Sequence, residues 1–245
     1  MPWSAWGVHL LTASGALLAF LTVTATASGD YRSAFLWMTV ATTIDSVDGA
    51  LARATRVKQR LPGFDGARLD DIVDYLTFVF APAYLLFHAQ LAPEALRFVV
   101  PAAMLLSSAY GFSQTSAKTA DHFFTGFPSY WNIVAFYLVA LAPPQWIGAG
   151  VVIGLAVLVF VPIVYVYPSR TPTLRALTVA LGLAWAVCML AMIWANPAIP
   201  RPVLYLSLGF PAYYFVLSLV LDARRRHRRQ EAGMQNEKCK MQNEK

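Results

Sequence analysis

Asp45-Ser-Val-Asp48-Gly49-Ala-Leu-Ala52-Arg53 and, after twelve intervening residues, Gly66-Ala-Arg-Leu-Asp70-Asp71-Ile-Val-Asp74 form the stretch that decides both fold and chemistry. Each half joins a long apolar segment. Asp45, Asp48, Asp70 and Asp74 therefore sit at or inside the ends of two hydrophobic helices. A carboxylate in a membrane span is costly, and its default reading is a functional group with a partner. The i,i+3 spacing of Asp45 and Asp48 puts both on one helix face, as does the i,i+4 spacing of Asp70 and Asp74. Asp71 is rotated about 100° from Asp70 on the 3.6-residue period, so it is expected to face away. Two helices that each present two carboxylates to a shared cleft make an oxygen-rich site suited to Mg²⁺ or Mn²⁺.

The rest of the chain supplies the membrane. Of 245 residues, 58% are hydrophobic and 13% charged, and the mean hydropathy is +0.52. A soluble domain carries about 25% charged residues, so this composition excludes one. Apolar runs long enough to cross a bilayer lie near 8–27, 32–53, 69–91, 96–114, 129–143, 147–167, 174–194 and 202–221. The expected fold is an all-α polytopic bundle of about eight transmembrane helices. Residues 1–222 are expected to form a single transmembrane catalytic domain, and 223–245 a basic, disordered tail ending in a repeated Met-Gln-Asn-Glu-Lys. Cys188 and Cys239 suggest neither a disulfide framework nor a metal cluster. The first residues read as part of a span rather than a cleavable signal.

Lys and Arg fix the expected orientation. With both termini inside, Arg53, Arg56, Lys58, Arg60, Arg68, Lys118, Arg170, Arg175 and the basic tail lie in the cytoplasm, leaving Arg32, Arg97 and Arg201 outside. This places the aspartates at the cytoplasmic face. The cluster Arg224–Arg229 suits anionic lipid headgroups, and no nucleic-acid partner is expected.

Around the acids, Gly49 and Ala52 either pack helices or leave room for a bulky ligand. Arg53 either anchors the helix or holds a phosphate, for which its planar fork is well matched. The first span reads as a packing helix. After the fourth span comes a polar and aromatic segment, His122-Phe123-Phe124-Thr-Gly126-Phe-Pro128-Ser129-Tyr130-Trp131-Asn132, which reads equally as an interfacial loop or as the lining of a headgroup pocket. Spans six to eight read as scaffold, with Tyr165, Tyr167, Tyr205, Tyr213 and Tyr214 as interfacial belts.

A pair of metals held by four acids stabilises both the entering and leaving oxygens of a displacement at phosphorus. The deepest acid, Asp74, is the candidate general base for an incoming hydroxyl. An ion or proton pathway is the alternative from another class. It would want acids near mid-membrane, and these cluster at one face.

The pattern Asp45-x2-Asp48-Gly49-x2-Ala52-Arg53 with Gly66-x3-Asp70-x3-Asp74 resembles the CDP-alcohol phosphotransferase family at every fixed position. The connection of twelve residues exceeds the eight or nine usual in that family. Together with Val57-Lys-x-Arg60-Leu-Pro-x-Phe64, Asp74-Tyr-Leu-Thr-Phe-Val-Phe and the segment 122–132, it resembles the bacterial phosphatidylcholine synthase branch. That resemblance implies CDP-diacylglycerol and choline as substrates, a bacterial inner-membrane location and a homodimer. It implies Asp45, Asp48, Asp70 and Asp74 as ligands of Mn²⁺ or Mg²⁺, with Asp74 also the base. Asp48, Gly49, Ala52, Arg53 and Gly66 would hold CDP-diacylglycerol. A sister enzyme using serine, inositol or glycerol phosphate is the alternative, but an anionic acceptor would want more cations than Lys118. Choline is a quaternary ammonium and needs aromatic faces. Tyr75, Tyr110, Phe123, Phe124, Tyr130 and Trp131 are available, with Asp121 as a counter-charge.

Overall fold

The computed structural model describes residues 3–115, 117, 119, 123–168 and 171–243, of which 229 and 231–243 are described by their backbone alone. Asp121, Lys118 and Arg170 lie outside the described residues.

The described residues form helical rods at each of the eight expected positions. These are α1 (Trp3–Ala27) and α2 (Tyr31–Ala54), then, after the short α3 (Val57–Arg60), a rod made of α4 (Gly66–Asp74), a π-helical turn (Tyr75–Phe80) and α5 (Ala81–His88). Next come α6 (Val99–Ser113), α7 (Trp131–Leu141), α8 (Gln145–Phe160) and α9 (Arg175–Ala195). The short α10 (Arg201–Ser207) leads into α11 (Gly209–Asn243). Four of these rods, at 3–27, 94–113, 175–195 and 201–228, are long and apolar enough to cross a membrane, and α7 and α8 are shorter apolar helices. The two remaining rods carry the aspartates, which lowers their hydropathy. The molecule is a multi-pass membrane helix bundle.

Local chemistry sets the rod ends. Asp30 caps α2 by accepting the Ser33 N–H at 3.0 Å, and Asp65 caps α4 by accepting the Arg68 N–H at 3.1 Å. The core runs along the inner faces of α2, α5, α6, α7 and α8 through Phe35, Leu85, Met104, Trp131, Phe136 and Val152, each at most 2% exposed. In lipid no water drives these faces together, so close packing and interhelical hydrogen bonds do the work. Tyr31 pairs with His88 Nδ1 at 3.2 Å, and Asn132 Nδ2 donates to Thr42 Oγ1 at 3.0 Å.

The sixth rod ends earlier than its apolar run suggests. α8 stops at Phe160, and Val164–Val166 form a strand, β2, antiparallel to β1 (Phe123–Thr125). Val161 precedes Pro162 and is extended, as the proline ring requires. Gly126 closes the ribbon at φ +78°, and a side chain there would run into the Val159 carbonyl. The last rod also differs from its expected bounds: α11 continues past residue 222 to Asn243 without a break.

Candidate metal and substrate site

α2 and α4 bring three of the four motif acids together. Asp45, Asp70 and Asp74 each offer a carboxylate oxygen, and these oxygens lie within 4.8 Å of one another. All three residues are half-buried. Such a trio of hard oxygen donors fits a divalent cation such as Mg²⁺ or Mn²⁺. Asp48 sits one turn from Asp45 and is 5% exposed. It lines the same small cleft as Thr12, Gly15, Ala41, Ile44, Asp45, Val73, Asp74 and Thr77.

Asp48 has a partner that the motif does not contain. Thr12 Oγ1 lies 2.7 Å from Asp48 Oδ2 and 3.3 Å from the Val8 carbonyl. A hydroxyl has one proton, and the shorter contact to an ionised acceptor takes it. α1 is thus a third wall of the site rather than a bystander. Its residues His9, Thr12 and Gly15 recur every third position on one face. Gly15 admits Val73, whose Cγ1 lies 2.5 Å from where a Cβ would be. His9 lies against Gly66, its Cε1 2.6 Å from that glycine's missing Cβ, and its ring meets Phe64 at 4.4 Å. His9 is 7% exposed, and its Nε2 has no hydrogen-bond partner among the described residues.

The remaining motif residues surround this cleft or cap its end. Gly49 is half-buried, and a Cβ there would meet only Arg53 Nη1, at 3.4 Å. Arg53 is exposed at the end of α2. Ala52 packs against the small apolar group Ala5, Val8 and Val57. Asp71 stands outside the carboxylate trio, as its rotation on the helix predicts.

A second wall is aromatic. Phe124 stacks on Tyr167 at 4.7 Å and meets Tyr130 edge-on at 6.5 Å. Tyr130 also contacts Phe78 at 6.5 Å and Tyr214 at 6.1 Å. Phe78 lies one turn beyond Asp74 on the same rod, which ties this wall to the acids. Phe123 is 7% exposed, with the Arg225 guanidinium 4.7 Å above its ring. Tyr165 and Tyr214, read from the sequence as belts, are 1% and 6% exposed and belong to this cluster. Three other aromatics lie elsewhere. Tyr75 donates to the Leu105 carbonyl at 2.9 Å and packs on Phe112. Tyr110 is 45% exposed and packs on Phe160. Trp131 is fully buried, its Nε1 donating to Ser108 Oγ at 2.7 Å, and Ser108 in turn bonds Ser129.

No family model matches the chain. Curated relatives do. The chain is 35% identical to the phosphatidylcholine synthase of Pseudomonas aeruginosa over 220 residues, covering 90% of this chain and 92% of that one. It is 37% identical to that of Legionella pneumophila over 222 residues, covering 88% and 87%. It is 41% identical to that of Brucella melitensis over 181 residues, covering 74% of this chain and 66% of the relative. The first two matches cover most of both chains, and with the carboxylate site they show that the chain belongs to the phosphatidylcholine synthase family of CDP-alcohol phosphotransferases.

Proposed function

We propose that the protein transfers the phosphatidyl group of CDP-diacylglycerol to choline, giving phosphatidylcholine and CMP. The observation that carries this is one juxtaposition: an acidic trio fit for a divalent cation on the same rod as Phe78, which packs into the aromatic wall against Tyr130. The first suits a diphosphate and the second a quaternary ammonium.

In this reading Asp45, Asp48, Asp70 and Asp74 hold Mn²⁺ or Mg²⁺, two ions being the arrangement that serves both oxygens of the displacement. When bound, the cations neutralise the diphosphate and polarise the phosphorus. Arg53, free of the core at the end of α2, grips phosphate through its planar fork. The half-buried Gly49 and Ala52 keep bulky side chains out of the nucleotide's way, and Gly66 serves the same substrate indirectly by admitting the His9 ring. Asp74 takes the choline hydroxyl proton as the oxygen attacks the phosphatidyl phosphorus. A new P–O bond to choline forms, the bond to the CMP phosphate breaks, and CMP leaves. Choline lies among Phe124, Tyr130, Tyr167 and Phe78, with Phe123 behind them; Tyr75, Tyr110 and Trp131 support the bundle instead.

The distribution of Lys and Arg supports an inner-membrane protein with both ends and the site facing the cytoplasm, where a CTP-derived lipid is available. Residues 1–222 then form the catalytic unit, and beyond them α11 carries the basic tail as far as Asn243. A homodimer is proposed by family likeness. The open face of α8, where a Cβ added at Gly150 or Gly154 would meet no other described part of the chain within 4 Å, is compatible with a second subunit.

The test offers purified protein CDP-diacylglycerol with choline, serine, inositol or glycerol phosphate in parallel, and identifies the lipid by mass. Phosphatidylcholine with stoichiometric CMP, abolished by chelation and restored by Mn²⁺ or Mg²⁺, is expected. Phosphatidylserine or phosphatidylinositol as the sole product would overturn the acceptor; no CMP with any alcohol would overturn the reaction class.

A further inference from the structure

β2 is paired on one side only, and α11 covers the other. Alternation along a strand points the polar groups of Val164 and Val166 to the same edge. α11 meets that edge with four side chains spaced every fourth residue, hence on one helix face. Tyr214 Oη donates to the Val166 carbonyl at 3.1 Å. Ser218 Oγ accepts the Val166 N–H at 3.1 Å, and Asp222 Oδ1 accepts the Val164 N–H at 3.1 Å. Arg226 completes the row: its Nε donates to Asp222 Oδ2 at 2.7 Å and its Nη2 to the Pro162 carbonyl at 3.0 Å. A helix face thus stands in for a third strand.

That contact reaches the site. The same ribbon carries Phe124 on β1 and leads directly into Tyr167 after β2, the two rings that stack. Tyr214, at the first position of the row, touches Tyr130 as well as Val166. Arg225, next to the last position, lies over Phe123. The charged end of the row is the part that backbone pairing alone would not need. Asp222 has only 12% of its side chain exposed, so its charge is stabilised by Arg226 and by the strand it holds.

We infer that Asp222 and Arg226 are positioning residues for the acceptor: they clamp the β1–β2 ribbon to α11 and so set the height of Phe124 and Tyr167 beside Tyr130. This rests on the reading of that aromatic wall as the choline site. The basic end of α11, which otherwise reads as a topology signal, is then part of the specificity apparatus.

The experiment compares Asp222→Asn, Arg226→Gln and the double variant with wild type in detergent, measuring KM for choline, KM for CDP-diacylglycerol, kcat and thermal melting. Each single variant should raise the choline KM by roughly tenfold while the CDP-diacylglycerol KM stays within about twofold, the pattern of a lost uniform binding contribution. In the double variant the two amides can bond to each other, and choline KM should fall back toward wild type, a coupling only interacting residues show. A wild-type choline KM in both single variants would overturn the inference. So would a joint decline of every parameter in step with melting temperature, which is plain destabilisation. Failure of the underlying reading shows in the wild type alone, as transfer to a different alcohol, and the KM split is then measured for that alcohol.

Discussion

The acidic wall and the aromatic wall are joined through the rod that carries both Asp74 and Phe78, whose ring meets Tyr130, but they are built differently. The acids come from α2 and α4, within thirty residues of each other, at fixed helical spacings. The aromatic wall draws on Phe78, Phe124, Tyr130, Tyr167 and Tyr214, four separate stretches of chain. Chemistry common to a diphosphate donor can be written in one local motif, because two short helix faces suffice to place hard ligands. A surface for a soft cation needs ring faces at several angles, and no single helix offers them. Damage to the first wall should therefore abolish turnover, and damage to the second should weaken one substrate.

The sharpest break is Asp74→Asn, which keeps the shape and removes both a ligand charge and the base. CMP release should fall by roughly 10²–10⁴-fold, the range for a lost general base, with membrane insertion and melting retained. Near-normal release would remove Asp74 from that role. Next is Thr12→Val, which deprives Asp48 of its donor; loss of an outer-sphere partner costs roughly 10–100-fold in metal affinity. Mn²⁺ titration by electron paramagnetic resonance should show weaker binding, and Thr12→Ser should restore it. Tyr130→Ala should raise the choline KM about 3–30-fold, from a cation–π contribution of about 0.5–2 kcal/mol, and leave the CDP-diacylglycerol KM near wild type. Tyr130→Phe keeps the ring and should keep most of the affinity. If Tyr130→Ala instead altered the donor KM alone, the two walls would have been assigned the wrong substrates.

The smallest effect lies outside both walls. The Asp30 carboxyl is held below its ordinary range by hydrogen bonds from Ser33. A folded pKa below the unfolded one adds stability above about pH 4 that is lost as the pH falls through the folded value. Asp30→Ala should lower stability by about 1 kcal/mol near neutral pH, and this difference from wild type should shrink on acidification. Thermal melts at two pH values check it, with catalytic constants unchanged.

Much of this was legible in the residues. Spans at eight positions follow from apolar runs, and the pairing of Asp70 with Asp74 and the exclusion of Asp71 follow from helical rotation. Asp48 was legible as an acid of the site, but not as the acceptor from Thr12, because α1 carries no charge to draw attention. The ribbon was hidden because Val164-Tyr-Val166 continues an apolar run, and only Pro162 hints that the helix has stopped. Tyr165 and Tyr214 suit an interfacial belt as well as a core. Deciding between the two takes knowledge of which helix neighbours which, and local pattern does not contain it.

The π-helical turn at Tyr75–Phe80 begins immediately after Asp74. Widening one turn by a residue introduces an angular offset of about 100° between the segments on its two sides, relative to an uninterrupted α-helix. Asp70 and Asp74 keep one phase and α5, on the far side of the turn, takes another, while Phe78 inside the turn meets Tyr130. A single rod can therefore present carboxylates from one face and, past the turn, bury α5 in the core by another. Removing one residue from 75–80 would cancel that offset, leaving the metal ligands aligned and rotating the buried face of α5 out of the core.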